Sequence, residues 1–498
     1  MPWYDSRAAG LKQRRGNDEK RVNAFMASAI QSLRRTLVGD KKFYRMVLSL
    51  IIPVIIQNSI SNFVNLLDNL MVGALGDAQM SGVSIANQLV FIFNLAIFGG
   101  LAGPGIFGAQ FYGAGDVEGL RNTFRIKLLE SLFLLSAAFI ALLGFSKPLI
   151  SLFLQGDGDP AMARDMLKNS QDYLMVILFG LPAFALTQCY AGTLREMGET
   201  RLPMAASIAA VVTNAVFNYL LIFGKLGLPR LGVQGAAVAT VISRYVELGI
   251  VLIFTHRKHR EFTFIEGAFK TLRVPGALLK KVLRMGAPLL MNELLWSIGM
   301  STLTAVYSLC GLIVVSALSI TFTISNLFSS VYFSMGTAVS VMVGQSLGAG
   351  DFEKARREVW QLEAFGVAGA VAMGVLLAAF APLIPRAYAG VTEDVRLLAT
   401  RLLIVTACAM PLYSFAHCAY FTLRSGGKTV ITFLFDSGFT WVISVPLAFL
   451  MVRGFQADIV VAYAVVELAN LIKCVLGYFF LRSGKWIQNL TRTVQEER

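Results

Sequence analysis

Seven charged side chains lie well inside otherwise apolar runs of this sequence, Asp68, Arg244, Glu247, Glu293, Asp436, Glu467 and Lys473, while Glu130 and Glu363 lie nearer the ends of theirs. Near the centre of a bilayer each would cost at least about 2.5 kcal/mol on insertion scales, so each needs a partner, a wet cavity or a function. Asp68 falls at a depth similar to that of Asn214, Asn218 and Thr240, and the two asparagines stand one helical turn apart on one face. Four oxygen-bearing side chains so placed would make a hydrated ion or proton site; the lesser reading is that Asp68 caps or wets a helix end. In the second half Glu293 and Asp436 follow the starts of their runs by two turns, and Glu467 lies near mid-run. Lys473 is nearly two turns beyond Glu467, a marginal distance for a local pair.

His417 is the histidine within an apolar run, where it would titrate near neutral pH or rest as a satisfied buried ring. Arg244 and Glu247, three apart, fit an internal ion pair as well as a role in coupling. Pro53, ahead of Asp68, lacks an N–H and crowds the preceding turn. It is the expected bending point of its helix.

Other chemistries find little support. The five cysteines form no Cys-x-x-Cys pair, and His256 and His259 lie in a basic loop, so neither a disulfide framework nor a His-rich metal centre is expected. The one metal ion these residues would suit is Na+, near Asp68. No nucleophile with a base or metal cluster suggests an enzyme. Gly113-Ala-Gly-Asp116 and Gly348-Ala-Gly-Asp351 follow apolar runs rather than strands and lack the Lys-Ser/Thr of a phosphate loop. They read as turns in which Gly ends one helix and Asp caps the next.

The elements that must position these residues are membrane helices. The 498 residues are 56% hydrophobic and 15% charged, with mean hydropathy +0.64, more apolar than a soluble core can cover. About a dozen runs reach the roughly 20 residues that span hydrocarbon. With both termini inside, about 33 Lys and Arg residues fall on the cytoplasmic side and about 9 outside, the positive-inside bias. Topology thus explains the net charge of +14 without nucleic acid.

The chain also repeats itself. Pro53, Gly76, Ser84, Gln110, Gly113, Asp116 and Arg121 recur 235 positions later as Pro288, Gly311, Ser319, Gln345, Gly348, Asp351 and Arg356. At an offset of 229, Pro182, Cys189, Arg195, Gly198 and Thr200 match Pro411, Cys418, Arg424, Gly427 and Thr429. The fold class is therefore an all-α polytopic membrane protein, with twelve transmembrane helices in two six-helix lobes. An even number of spans per lobe makes the repeats parallel, related by an axis along the membrane normal, as in many secondary transporters. The expected organisation is a basic cytoplasmic arm (1–44), a first lobe (45–256), a cytoplasmic linker (257–285), a second lobe (286–482) and a cytoplasmic tail (483–498). The linker's basic and aromatic residues suggest a surface-lying connector against anionic headgroups.

Several local motifs carry a family resemblance over essentially residues 45–490: Asp68-Asn-Leu-Met-Val-Gly73, the paired Gln-x-x-Gly-Ala-Gly-Asp turns, the Leu194-Arg-x-x-Gly-x-Thr200 turn, and Asn214-x-x-x-Asn218 with Gly232-Val-x-Gly-Ala-Ala-x-Ala-Thr240. The sequence resembles the multidrug and toxic compound extrusion (MATE) family. That resemblance implies an antiporter exporting organic, cationic compounds against inward H+ or Na+, with no cofactor. It places the cation site on Asp68, Asn214 and Thr240 and a second acidic position on Glu293. Where many members carry aspartate this chain has Asn218, and Tyr413 falls where some carry an acid, which leaves H+ versus Na+ open. The expected setting is a monomer in the plasma membrane, the inner membrane of a bacterium. A lipid or lipid-linked oligosaccharide flippase of the related superfamily is the alternative.

Overall fold

The computed structural model describes residues 36–154, 160–388 and 390–492; most of the basic arm and the end of the tail lie outside the described residues. Twelve helices among the described residues are long and apolar enough to cross a membrane. They are α1 (Lys41–Gly73), α2 (Ala78–Gly113), α3 (Val117–Gly144), α4 (Ala161–Glu196), α5 (Arg201–Phe223) and α6 (Val233–Arg257) in the first lobe. The second lobe holds α7 (Gly276–Ser308), α8 (Leu312–Gly348), α9 (Phe352–Phe380), α10 (Glu393–Ser425), α11 (Thr429–Gly454) and α12 (Ile459–Ser483). Large apolar side chains such as Phe133, Ile140, Val375, Val442 and Phe479 stand exposed on the outside, the surface that lipid tails would cover.

The duplication is visible in the turns. Asp116 accepts from the Gly119 N–H at 2.7 Å, and Asp351 accepts from the Lys354 N–H at 3.0 Å. Each caps its helix by satisfying an otherwise orphaned donor. Gly115 and Gly350 adopt φ of 72° and 77°, a conformation that favours glycine.

Irregularities fall where backbone donors are missing or ladders slip. α2 is interrupted at Leu101, just before Pro104. α11 contains three wide turns, Leu434–Gly438, Thr440–Ser444 and Leu450–Gly454, with the i→i+5 pattern that recurs at functional sites. α1 runs unbroken past Pro53.

Two helices cross between the lobes. Phe43, Val47, Leu50 and Ile51 of α1 pack into the core of the second lobe with Met335, Val339 and Leu362. Leu278, Val282 and Leu289 of α7 pack into the core of the first with Phe107 and Phe111. Phe43 and Leu278, like Val47 and Val282, are separated by the 235-residue offset, so the exchange obeys the internal symmetry. Close backbone approach makes it feasible: a Cβ on Gly103 would lie 2.7 Å from Gly286 Cα, and one on Gly99 would lie 3.0 Å from Leu290 Cα.

The segment between the lobes departs in part from expectation. α7 begins at Gly276, so the connection is shorter than 257–285. Phe262, Phe264, Ile265 and Ala268 are buried in the first lobe's core, and Arg125 on α3 donates to the carbonyls of Ala268 at 3.0 Å and Gly267 at 2.8 Å. Phe262 and Phe264 are buried in protein instead of facing headgroups, whereas Phe269, 55% exposed, stays at the surface with the basic residues 257–260.

Candidate functional site: a central cavity and a polar cluster beside it

Asp68, Asn214, Asn218 and Thr240 converge within the first lobe. Asp68 comes from the end of α1, the asparagines from α5 and Thr240 from α6, and both asparagines are buried. Asn218 Nδ2 donates to Asp68 Oδ1 at 2.5 Å. Asn214 can turn either end of its amide toward the carboxylate. With Nδ2 inward it lies 2.9 and 3.0 Å from the two Asp68 oxygens, while its Oδ1 accepts from Thr240 Oγ1 at 3.2 Å. With Oδ1 inward it accepts from Asn218 Nδ2 at 3.1 Å, and its Nδ2 meets Thr240 Oγ1 at 3.2 Å. In that second arrangement two oxygens face each other at hydrogen-bond distance, which is stable only with a proton or cation between them. The orientation that gives the carboxylate a second donor is the better satisfied one, although it sets Asn214 Nδ2 3.1 Å from Asn218 Nδ2.

Arg244 and Glu247 form an ion pair on α6, 3.5 Å apart, and the guanidinium stacks over Phe184 at 4.9 Å. The guanidinium is thus held both by the glutamate and by an aromatic face.

Between the lobes lies a cavity of about 820 Å³. Val54, Gln57 and Asn58 of α1 line it from the first lobe, as do Gln188, Arg195 and Glu196 of α4. Glu293, His417, Asp436, Glu467 and Lys473 line it from the second, among Trp296, Tyr332, Tyr413, Tyr420 and other aromatic rings. Every candidate of the second lobe therefore faces one space, and Asp68, Asn214, Asn218 and Thr240 are not on its wall. The sequence separates these groups by depth but contains no sign that one is inside a lobe and the other between lobes.

Asp436 sits in the first wide turn of α11. Lys473 Nζ donates to its Oδ1 at 3.0 Å, and Asn292 Nδ2 donates to its Oδ2 at 3.2 Å. Asn292 also accepts from Ser437 N–H at 3.2 Å and Ser437 Oγ at 2.8 Å, pinning the turn to α7. Lys473 thus partners Asp436 on another helix, and Glu467 is held by the Tyr413 hydroxyl, which donates to Oε2. Tyr413 on α10 thus donates to an acid on α12. His417 packs among Tyr332, Phe333 and Phe421, with Nε2 3.4 Å from the Phe333 carbonyl.

Sequence reasoning missed three residues. Asn292 was hidden beside Glu293 in an apolar run. Lys127 and Glu196 form a buried pair 2.6 Å apart, with Thr193 Oγ1 accepting from Lys127 at 2.8 Å. A lysine near the start of one span and an acid at the end of another carry no mutual spacing signal.

A bundle of twelve membrane helices in two symmetric lobes, clasping a polar and aromatic cavity, defines a membrane transporter of the duplicated-lobe class. The MatE family profile matches residues 53–220 and 288–450, two stretches starting 235 apart, and the chain belongs to that family. Among curated relatives, the probable multidrug resistance protein NorM of Thermotoga maritima is 26% identical over 443 residues, covering 88% of this chain and 92% of that protein. The probable multidrug resistance protein YoeA of Bacillus subtilis is 24% identical over 476 residues, covering 94% and 100%. Among solved structures, a MATE protein in its straight conformation superposes with TM-score 0.79 at 22% identity, covering 90% of this chain and 97% of that one. A MATE protein in complex with MaL6 gives TM-score 0.78 at 23% identity, covering 90% and 97%.

Proposed function

We propose that this protein is a secondary antiporter that exports organic, cationic compounds, as a monomer in a bacterial inner membrane, in exchange for H+ or Na+. The observation that carries the reading is the coexistence of two distinct polar sites: a carboxylate cluster enclosed in the first lobe and a carboxylate-bearing aromatic cavity between the lobes. Aromatic faces and carboxylates attract cations in a partly desolvated space, and the naming of the relatives NorM and YoeA as probable multidrug resistance proteins points to drugs as cargo. One chain supplies both walls of the cavity, which supports a monomeric unit. The positive-inside bias supports placing both termini, and the turns at Asp116 and Asp351, in the cytoplasm.

In this reading Asp68 receives the coupling ion from outside, with Asn214, Asn218 and Thr240 as its polar frame. Occupancy frees α1 to bend at Pro53. Glu293, Glu467 and the Asp436–Lys473 pair hold cargo, with His417 in the cavity wall, and the lobes rock about the cavity to expose it to either side. Arg244 and Glu247 brace α6 next to Thr240.

The test is transport of fluorescent organic cations in proteoliposomes under an imposed pH or Na+ gradient. Gradient-driven uptake that disappears in Asp68→Asn and in Glu293→Gln is expected. Unchanged uptake in both would reject the assignment. The flippase alternative draws on Arg195, Arg424 and Lys473 in the cavity wall, and it predicts scrambling of labelled lipid without any response to organic cations.

A further inference from the structure

The hydrogen bonds joining the two lobes gather at one end of the molecule, and they are symmetric. Gln110 Nε2 on α2 donates to the Ser425 carbonyl of α10 at 2.9 Å. Gln345 Nε2 on α8 donates to the Glu196 carbonyl of α4 at 2.8 Å. Gln110 and Gln345 are matched by the 235-residue offset, and Glu196 and Ser425 by the 229-residue offset. Each lobe therefore extends an amide to the same backbone position of the other. The glycines one turn later let the backbones meet, since a Cβ on Gly113 would run into the backbone of Gln345 and one on Gly348 into that of Gln110.

One part of this junction breaks the symmetry. The C-terminal segment, residues 485–491, folds back across it. Leu490 N–H donates to Gln110 Oε1 at 2.7 Å, Gln110 Nε2 also reaches the Gln488 carbonyl at 3.2 Å, and Asn489 Nδ2 donates to the Gly348 carbonyl at 2.9 Å. Trp486, 1% exposed, is buried in the second lobe's core, whereas Leu490, 6% exposed, joins the first lobe's cluster. Both hydrogen-bonding ends of the Gln110 amide are thereby engaged, while the Gln345 amide has its cross-lobe bond alone among the hydrogen bonds described here.

We propose that Gln110 and Gln345 are the paired crossbars of the gate that closes this end of the cavity, and that the C-terminal segment is a latch holding the Gln110 crossbar. Lobes that rock must break both crossbars to open this end. The latch adds bonds and apolar burial to one of them, so it sets the bias toward the closed state without touching cargo or the coupling ion. The inference rests on the alternating access proposed above, and the residues are positioning residues of the gate.

Distance measurement between the lobes tests it separately from transport. Glu118 and Glu353, exposed, matched by the same offset and flanking the two turns, are replaced by a keto amino acid carrying a spin label, which leaves the native cysteines in place. Purified full-length protein is expected to show one dominant short distance. Leu490→Pro removes the N–H that Gln110 accepts from, and it should raise the ratio of long to short distances about fivefold, the effect of losing one intramolecular hydrogen bond. A chain ending at Gly484 should do at least as much. Gln110→Ala should reproduce the shift, and Leu490→Pro should add little in that background, whereas Gln345→Ala should add to either. An unchanged distribution in Leu490→Pro and in the shortened chain overturns the latch. So does a Leu490→Pro effect that persists in full in Gln110→Ala. Loss of transport with the expected distance changes intact would instead count against the antiport reading alone.

Discussion

Lys473 on α12 donates to Asp436 on α11 at 3.0 Å, and Asn292 on α7 holds the other carboxylate oxygen at 3.2 Å. Three helices of the second lobe are tied at one carboxylate, in the first of the wide turns of α11. The pair neutralises itself, which leaves Glu293 and Glu467 as the cavity acids of this lobe outside an ion pair.

Breaking that pair from one side should be worse than removing both charges. Lys473→Met is expected to destabilise the purified protein by about 3 kcal/mol, because it leaves a largely buried carboxylate without its counter-ion. Adding Asp436→Asn should recover most of the loss. Thermal unfolding in detergent reads this as a melting temperature lower in the single variant than in the double one.

Asp68→Asn should separate ion coupling from cargo binding. The cavity does not include Asp68, so binding of a fluorescent cation to the purified variant is expected within about twofold of the parent, well under the tenfold that 1.4 kcal/mol represents. Gradient-driven transport should vanish. A large loss of binding would place Asp68 among the cargo contacts.

Glu467→Gln should weaken cationic cargo, and Tyr413→Phe should do so less. The variant glutamine keeps an acceptor for Tyr413 but loses the charge. The phenylalanine removes one hydrogen bond to a charged acceptor, of the order of 1.5–3 kcal/mol. KM values for a cationic and for a neutral dye distinguish the two, with the neutral dye insensitive to Glu467→Gln.

Gly103→Val should be poorly tolerated. A Cβ there would lie 2.7 Å from the Gly286 backbone, and backbone cannot move aside as a flexible side chain can. The expected cost is about 1–3 kcal/mol of overpacking, seen as a lower melting temperature. Gly144→Ala, at a site with open space around it, should leave it unchanged.

Periodicity, hydropathy and duplication made the twelve spans and their turns readable from the chain, because bilayer thickness imposes run length and internal symmetry imposes spacing. The Asp68 cluster was readable too, since Asn214 and Asn218 share a helix face and depth follows from topology. The Lys473–Asp436 and Lys127–Glu196 pairs were not. Their partners lie on different helices, and sequence carries no rotation angle for one helix against another. The linker misled for a related reason: Phe262 and Phe264 read equally well as membrane-surface anchors or as core, and only the groove offered by α3 and its neighbours decides. The exchange of α1 and α7 between lobes was likewise invisible, because an apolar stripe does not say which core it enters.

The placement of Asp68 outside the cavity wall has a consequence for any coupling that passes through it. Ion and cargo would then never compete for the same oxygen atoms, so the exchange cannot be a simple displacement. The shared object is α1, which presents Val54, Gln57 and Asn58 to the cavity and Asp68 to the enclosed cluster. Such a rod can report occupancy without inspecting what is carried, and a machine built this way could accept chemically unrelated molecules while keeping a single ionic fuel.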